Sequence, residues 1–153
     1  MSILDEIKRH ETYKSVWVDR NEIMRSLGVD LDRREFLDLS AMAIDELSDL
    51  LVKSLMWMET INERLATAKK FRLDKELESD RIMNQVLRGL DTKKVTEAKA
   101  EAKSHPDYIA AYKTYNTLYA YVDYLERLIT NLDKYHYVIK SRIDYNRNIE
   151  RKY

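Results

Sequence analysis

The run Lys69-Lys70-Phe71-Arg72 places three cations around an aromatic ring near the middle of the 153-residue sequence. On a helix, Lys69 and Arg72 are i,i+3 neighbours on one face, which suits contacts with phosphates, while Lys70 lies about 100° around the axis from Lys69. A charged run of this kind is more often a solvated helix face. Composition alone therefore leaves phosphate binding and plain solvation open.

The three histidines are the other candidates for chemistry, and their spacing does not favour catalysis or metal binding. His136 follows Asp133 by three residues, but a carboxylate-bridged metal bundle needs two Glu-x-x-His turns and further buried carboxylates. The sequence also lacks His-Glu-x-x-His and Gly-x-Ser-x-Gly motifs. We expect no enzymatic activity, no metal and no cofactor, and we interpret His136 as a polar residue that sets helix register or oligomeric state.

Composition excludes several protein classes. Two glycines and no cysteine argue against glycine-rich nucleotide-binding folds, disulfide frameworks and thiolate zinc sites. Without cysteine, a signal-peptide pattern or an apolar stretch of about 20 residues, the chain is expected to be cytoplasmic, with no membrane contact. The 27 basic and 27 acidic residues are unevenly placed: residues 1–52 carry a net charge of −5, residues 53–104 of +3 and residues 105–153 of +2.

Tyrosine is concentrated at the C-terminal end, where ten of the eleven tyrosines lie at or after Tyr108. The flat ring and polar tip of tyrosine suit half-buried positions in a helical bundle. Stacking on nucleic-acid bases is the alternative interpretation, although such platforms usually need only a few rings.

The elements that must position these residues are all helical, in one domain with three regions. Residues 1–31 form acidic short helices, residues 32–90 a long helix that carries the basic run, and residues 91–153 a connection followed by a heptad helix. In the first region, Asp19 is a good N-cap for a helix over 20–27, and Gly28 is a natural residue to end it.

The long helix is predicted from Asp32, whose spacing to Glu35 resembles a capping box, to Gly89. Its apolar seam is expected to end at Ala68, because residues 63–81 carry so many charges that they should be solvated or bound to something charged. The seam follows a heptad pattern. Its a positions are Leu37, Ile44, Leu51, Met58 and Leu65, and its d positions are Ser40, Leu47, Ser54, Ile61 and Ala68.

The C-terminal region is predicted to form a short helix over 95–103 and then a long one, with Ser104 as N-cap, Pro106 in the first turn and Asp107 beside the free amides. From Tyr108 the heptad pattern runs for nearly six repeats. Its a positions are Tyr108, Tyr115, Val122, Ile129, His136 and Ile143, and its d positions are Ala111, Leu118, Leu125, Leu132, Ile139 and Asn146.

A second flank at the e and g positions, Tyr112, Tyr119, Tyr121, Leu128 and Tyr135, widens the stripe of this last helix. The wider stripe needs more than one partner helix, which favours a homo-oligomer over the alternative, a compact monomer of three or four helices. The expected oligomer interface comprises Tyr115, Leu118, Val122, Leu125, Ile129, Leu132, His136, Ile139 and Ile143.

Four short segments resemble a known family. They are Lys70-Phe71-Arg72-Leu73-Asp74, Thr96-Glu97-Ala98-Lys99, His105-Pro106-Asp107 and Ile139-Lys140. In sequence and spacing they resemble the recombination mediator proteins of T-even-type bacteriophages, the UvsY family. The similarity spans roughly residues 60–147.

The resemblance implies a non-catalytic factor in the infected bacterial cell. Members of the family bind single-stranded DNA, assemble into rings through their C-terminal helices, and help a RecA-like recombinase to displace single-strand-binding protein. By this resemblance Lys70 and Arg72 would contact the DNA backbone, with Lys69 and Phe71 beside them, and the helix from Tyr108 to Asn146 would form the oligomer core.

Two other functions fit the sequence. A coiled-coil adaptor that docks other proteins on its acidic N-terminal region needs only the heptads and no DNA affinity. A duplex-binding regulator is less favoured, because nothing in the sequence resembles a groove-reading motif.

Overall fold

The computed structural model describes residues 2–29, 39–89 and 94–152, and no strand occurs in these parts of the chain. The helices are α1 (Ile3–Arg9), α2 (Arg20–Leu27), α3 (Ile44–Arg88), α4 (Val95–Ser104) and α5 (Pro106–Lys152). Two 3-10 turns, Tyr13–Val16 and Leu39–Ala41, precede α2 and α3 respectively. The all-α class predicted from the sequence is confirmed, and none of the described helices is both long and apolar enough to cross a membrane.

The ends of α2 are those expected from the sequence. The Asp19 carboxylate accepts a hydrogen bond from the Asn21 backbone N–H at 2.9 Å, which satisfies one of the free amides of the first turn. Gly28 follows the helix in the left-handed conformation, with φ 65°, and its N–H donates to the Met24 carbonyl. A residue without a Cβ takes this conformation at little cost.

The start of α3 differs from the prediction. The proposed cap at Asp32 and Glu35 lies outside the described residues, and the helix begins at Ile44 rather than at position 32. The intervening Leu39–Ala41 forms a 3-10 turn, closed by the Met42 N–H donating to the Leu39 carbonyl. Two acidic residues in the first turn of α3, Asp45 and Glu46, complement the helix dipole at this later start.

The apolar seam of α3 continues beyond its predicted end. The d positions from Leu47 to Ala68 are buried as expected. The next a and d residues of the same heptad phase, Arg72 and Lys75, are half-buried, and those one heptad further on, Ser79 and Ile82, are buried as well. The Ser79 hydroxyl donates to the Lys75 carbonyl, so its burial leaves no unpaired donor. The charged stretch is therefore solvated on its outer faces only. The two long helices, α3 and α5, pack together, and the number of charges in this stretch did not reveal that the seam of α3 continues through it.

The junction between α4 and α5 also corrects the sequence prediction. The cap of α5 is His105, not Ser104: the His105 carbonyl accepts the first intrahelical bond, from Ile109, and its Nδ1 accepts from the Asp107 N–H at 3.2 Å. Ser104 is the last residue of α4, whose predicted span is otherwise confirmed. An imidazole nitrogen thus replaces the hydroxyl that capping rules favour.

The chain divides into two compact units. Unit 1 comprises Met1–Trp17 and Leu65–Asp123, and unit 2 comprises Val18–Arg64 and Tyr124–Tyr153. Each unit therefore draws on all three regions into which the sequence was divided.

In unit 1 the N-terminal segment covers the g flank of α5. Tyr121 is fully buried, its hydroxyl donates to the Val16 carbonyl, and the Trp17 ring stacks on it at 6.1 Å between centroids. The Thr117 hydroxyl donates to the Glu6 carboxylate at 3.0 Å. This part of the wide stripe is thus covered by the same chain, a packing that does not require a second subunit.

In unit 2, tyrosine hydroxyls of α5 also donate to backbone carbonyls of the N-terminal residues. The Tyr124 hydroxyl donates to the Val18 carbonyl at 3.1 Å, and the buried Tyr135 donates to the Leu27 carbonyl at 3.4 Å. Across the seam of α3 and α5, Ser54 Oγ lies 3.0 Å from His136 Nδ1. The N-terminal residues of this unit are therefore held against α5 by hydrogen bonds from tyrosine hydroxyls to their backbone carbonyls.

Candidate nucleic-acid interface

The four residues of the basic run lie in mid-helix within unit 1 and play different parts there. Lys69 and Lys70 are exposed, whereas Phe71 and Arg72 are half-buried. The Phe71 ring contacts the buried Tyr13 ring at 5.2 Å between centroids, so it helps to hold the N-terminal segment. Its predicted contact with DNA is not tested by this packing and stays a prediction.

Arg72 is positioned by an aromatic contact. Its guanidinium carbon lies 5.3 Å from the centroid of the Tyr119 ring of α5, within the range of a cation–π interaction. Arg72 occupies an a position and Lys69 the neighbouring e position, so the two cations border the same side of the α3 seam. The contact holds one cation of the run in place beside an aromatic ring, while Lys69 and Lys70 have exposed side chains.

Four tyrosines, hereafter the tyrosine ladder, extend from this point along α5. The ring centroids of Tyr108 and Tyr112 are 5.8 Å apart with planes 10° from parallel, those of Tyr112 and Tyr115 are 6.1 Å apart, and those of Tyr115 and Tyr119 are 6.2 Å apart. The residues alternate between a and e positions, which places them on one stripe of the helix. With Arg72 at one end, the ladder forms a continuous row of π surfaces in contact.

The other end of the ladder borders a groove of about 690 Å³. Tyr108, Tyr112 and Asn116 line it from α5, Lys103 of α4 and Lys113 of α5 add two exposed cations, and Glu6 of α1 adds one carboxylate. Cations, an amide and aromatic faces are the groups that bind a nucleic-acid strand without reading its sequence.

One ion pair lies close to the basic run in unit 1. Lys75 Nζ lies 2.8 Å from a Glu78 carboxylate oxygen, and this hydrogen bond is the main reason that the pKa of Lys75 is raised above its ordinary value. Burial raises the pKa of Tyr13 nearby. By sequence, unit 1 contains 14 basic and 12 acidic residues and unit 2 contains 13 and 15, so the slight positive excess lies in the unit that holds the basic run.

The nine residues predicted to form the oligomer interface lie along α5, and most are already covered. Leu118, Val122, Leu125, Leu132, Ile139 and Ile143 are buried within a single chain, and Tyr115, Ile129 and His136 are half-buried. Assembly through this surface stays a prediction. Any such assembly has to use the half-buried edge of the stripe or repack the helices.

The three histidines all have structural hydrogen bonds. His10 Nδ1 accepts from the backbone N–H groups of Thr12 and Tyr13, His105 caps α5, and His136 pairs with Ser54. Among the described residues, no group of three or more metal-ligating side chains is close enough to hold an ion.

The sequence favoured packing for the tyrosines, with base stacking as the alternative, and it did not place Tyr112 or Tyr119 beside the basic run. The signal was present in their heptad positions: the tyrosines at g are buried against the N-terminal segment, whereas those at e are exposed. The comparisons with known proteins add no further assignment, because no family model, curated protein or solved structure matches the chain.

Proposed function

We propose that the protein binds single-stranded DNA and acts as a recombination mediator of the UvsY type, helping a RecA-like recombinase to replace single-strand-binding protein. The observation that carries the DNA-binding part is the Arg72 guanidinium held over the Tyr119 ring, beside the exposed Lys69 and Lys70. Proteins that bind single strands without sequence preference combine a cationic surface with aromatic rings in this way. The mediator part is supported by the sequence motifs that resemble the family.

Self-assembly belongs to the same proposal. One protomer offers only a few cations, and 27 basic residues balance 27 acidic ones overall. Several copies of the basic run on one homo-oligomer would raise the affinity for a long strand through effective concentration, with no new contact within a protomer.

The direct test is binding of a fluorescent oligo-dT, followed by anisotropy at salt concentrations between about 50 and 400 mM. Each phosphate contact contributes about 0.7 to the slope of log K against log salt for a single strand, so the double variant Lys70→Ala/Arg72→Ala should lower the slope by about 1.4. If the electrostatic contribution vanishes near 1 M salt, this slope corresponds to about 25-fold weaker binding at 0.1 M salt.

The chain offers a closely matched control. Lys140 and Arg142 repeat the spacing of Lys70 and Arg72, and the Arg142 guanidinium lies 4.9 Å from the Tyr145 ring centroid. Lys140→Ala/Arg142→Ala removes the same charges and the same type of stacking in unit 2, and it should bind as the wild type does. Equal losses in the two double variants would refute the site, and an absence of binding to any single strand at low salt would refute the function.

The mediator role has its own readout. DNA-dependent ATP hydrolysis by a RecA-like recombinase, on a strand already covered by single-strand-binding protein, should begin after a shorter lag when the protein is added. If the protein binds the bare strand but leaves this lag unchanged, the mediator role is refuted and only single-strand binding remains.

A coiled-coil adaptor is the second candidate, and exposed apolar side chains on α3 favour it. Val52, Leu55 and Met56 are each about half or more exposed in unit 2, and they lie close together on the outer side of the helix. Clustered apolar side chains on a surface mark protein-binding sites. Substitution of Leu55 and Met56 by Asp should leave oligo-dT affinity intact, and loss of a protein partner in that variant would support the adaptor.

A further inference from the structure

The tyrosine ladder is a surface feature that the packing of unit 1 does not account for. The core tyrosine of this unit, Tyr121, is fully buried and bonded to a backbone carbonyl, whereas Tyr112 is 47% and Tyr119 56% exposed. We infer that the ladder is a base-stacking track for single-stranded DNA, an inference that rests on the proposed DNA binding and names the residues that hold the bases.

The dimensions of the ladder suit a short run of nucleotides. From Tyr108 to Tyr119 the helix rises about 16 Å, and the successive ring centroids are 5.8, 6.1 and 6.2 Å apart. These steps are too short for a base to enter between two rings. The bases therefore stack on the ring surface that the neighbouring side chains leave uncovered, which is largest at the exposed Tyr112 and Tyr119.

Cations stand at both ends of this row, where the phosphates of such a strand must run. Arg72 is fixed at the Tyr119 end by its contact with the ring. Lys103 and Lys113 line the groove at the Tyr108 end. A strand carries one phosphate per nucleotide along its length, so a strand that lies along the ladder brings phosphates within reach of the cations near both ends of the row.

The arrangement selects unpaired bases. In a duplex the faces of the bases are stacked on each other, and only their edges are accessible in the grooves. A row of rings on a convex helix surface can stack on bases only when these are unpaired, and all four bases offer such a face. The track thus predicts binding to single strands in preference to duplex, without strong sequence preference.

The test compares two ligands of equal charge, an oligo-dT and a strand of the same length in which abasic sugars replace the nucleotides. The wild type should bind oligo-dT at least about tenfold more tightly than the abasic strand, because stacking on each aromatic ring is worth about five- to hundredfold in affinity. The variant Tyr112→Leu/Tyr119→Leu should lose this difference. Because Tyr119→Leu also removes the contact that positions Arg72, the single variant Tyr112→Leu is compared with it, and this variant should reduce the preference for bases while its affinity for the abasic strand and its salt dependence equal those of the wild type.

Two further variants separate stacking from structure. Tyr112→Phe/Tyr119→Phe keeps the rings and should keep the preference for bases. The control Tyr137→Leu/Tyr145→Leu removes two tyrosines of the same helix that are 71% and 54% exposed in unit 2, and it should retain the wild-type preference. Melting temperatures of all variants should stay within a few degrees of the wild type, because the changes are on exposed positions.

The outcomes distinguish the inference from the proposed function. Equal affinity of the wild type for oligo-dT and the abasic strand would overturn the base-stacking track and leave backbone binding by Lys70 and Arg72 in place. Equal losses in the ladder variant and the control variant would also overturn it. An absence of binding to both strands would overturn the proposed function and the inference together.

Discussion

The hydrogen bond between Ser54 and His136 determines where the histidine carries its proton. Ser54 is completely buried, and its hydroxyl lies 2.8 Å from the Leu51 carbonyl oxygen and 3.0 Å from His136 Nδ1. A serine hydroxyl has one hydrogen, and a carbonyl can only accept. The hydrogen is therefore donated to Leu51, so that His136 Nδ1 must carry a proton and donate it to Ser54 Oγ.

Ser54→Ala removes the acceptor that the described residues give the Nδ1–H group of His136. A buried donor without an acceptor costs about 1–3 kcal/mol, and because His136 is half-buried and can be partly hydrated we expect about 1–2 kcal/mol. For a chain of this size the loss corresponds to a fall of about 2–8 °C in melting temperature. Ser141→Ala, an exposed serine on α5, is the control and should change stability by less than about 0.5 kcal/mol.

The pair is tested by a double-mutant cycle and by NMR. His136→Leu alone leaves the Ser54 hydroxyl with its bond to the Leu51 carbonyl, and the double variant places two apolar side chains in the seam. The loss of stability in the double variant should therefore differ from the sum of the two single losses by about 0.5–1.5 kcal/mol. Nitrogen chemical shifts of neutral His136 should show the tautomer protonated at Nδ1. The Nε2–H tautomer, or two changes that simply add, would refute the reasoning.

Alkaline pH and the helix-ending glycine give two further predictions. Burial raises the pKa of Tyr124 and Tyr135 above the ordinary value of 10.0. As the pH rises, these tyrosines therefore lose their protons first in the unfolded chain. Their contribution to the free energy of unfolding should be constant below about pH 10 and fall above it. Denaturant titrations between about pH 8 and 11.5 should show a shallower fall for Tyr135→Phe, and an unchanged slope would contradict the assignment. Gly28→Ala should lower the free energy of unfolding by about 1 kcal/mol in thermal unfolding, because φ is 65° there. The matched control is Gly89→Ala, which should be near neutral because its new methyl group would lie at an ordinary contact distance, 3.6 Å, from the Val86 carbonyl oxygen.

The sequence predicts the buried seams well because they depend on periodicity alone. The d positions Leu47, Ser54, Ile61 and Ala68 are buried as the heptads require. The starts of α3 and α5 were predicted less well than that of α2, since a helix start depends on single local bonds. The His105 ring replaces the expected serine cap, and the 3-10 turn at Leu39–Ala41 separates α3 from the capping-box residues upstream.

The partner of the wide stripe could not be identified from periodicity. A heptad pattern shows that a flank is buried, but it does not show whether the covering segment belongs to another subunit or to the same chain. Here the covering segments are residues near Val16, Val18 and Leu27, which have no heptad signal of their own. Their backbone carbonyls, rather than their side chains, accept the bonds from α5, and any residue type supplies a carbonyl.

The sequence has eleven tyrosines against two phenylalanines, and seven of these tyrosines lie in two kinds of surroundings that suit a ring with a hydroxyl. Against the N-terminal segment, Tyr121, Tyr124 and Tyr135 need a hydroxyl because a phenylalanine there would remove a hydrogen bond to a backbone carbonyl. In the tyrosine ladder the rings are partly exposed, and a hydroxyl keeps the outer edge of each ring hydrated. The buried group should therefore lose stability on substitution by Phe and the ladder group should not. This contrast separates a packing role from a binding role on the same helix.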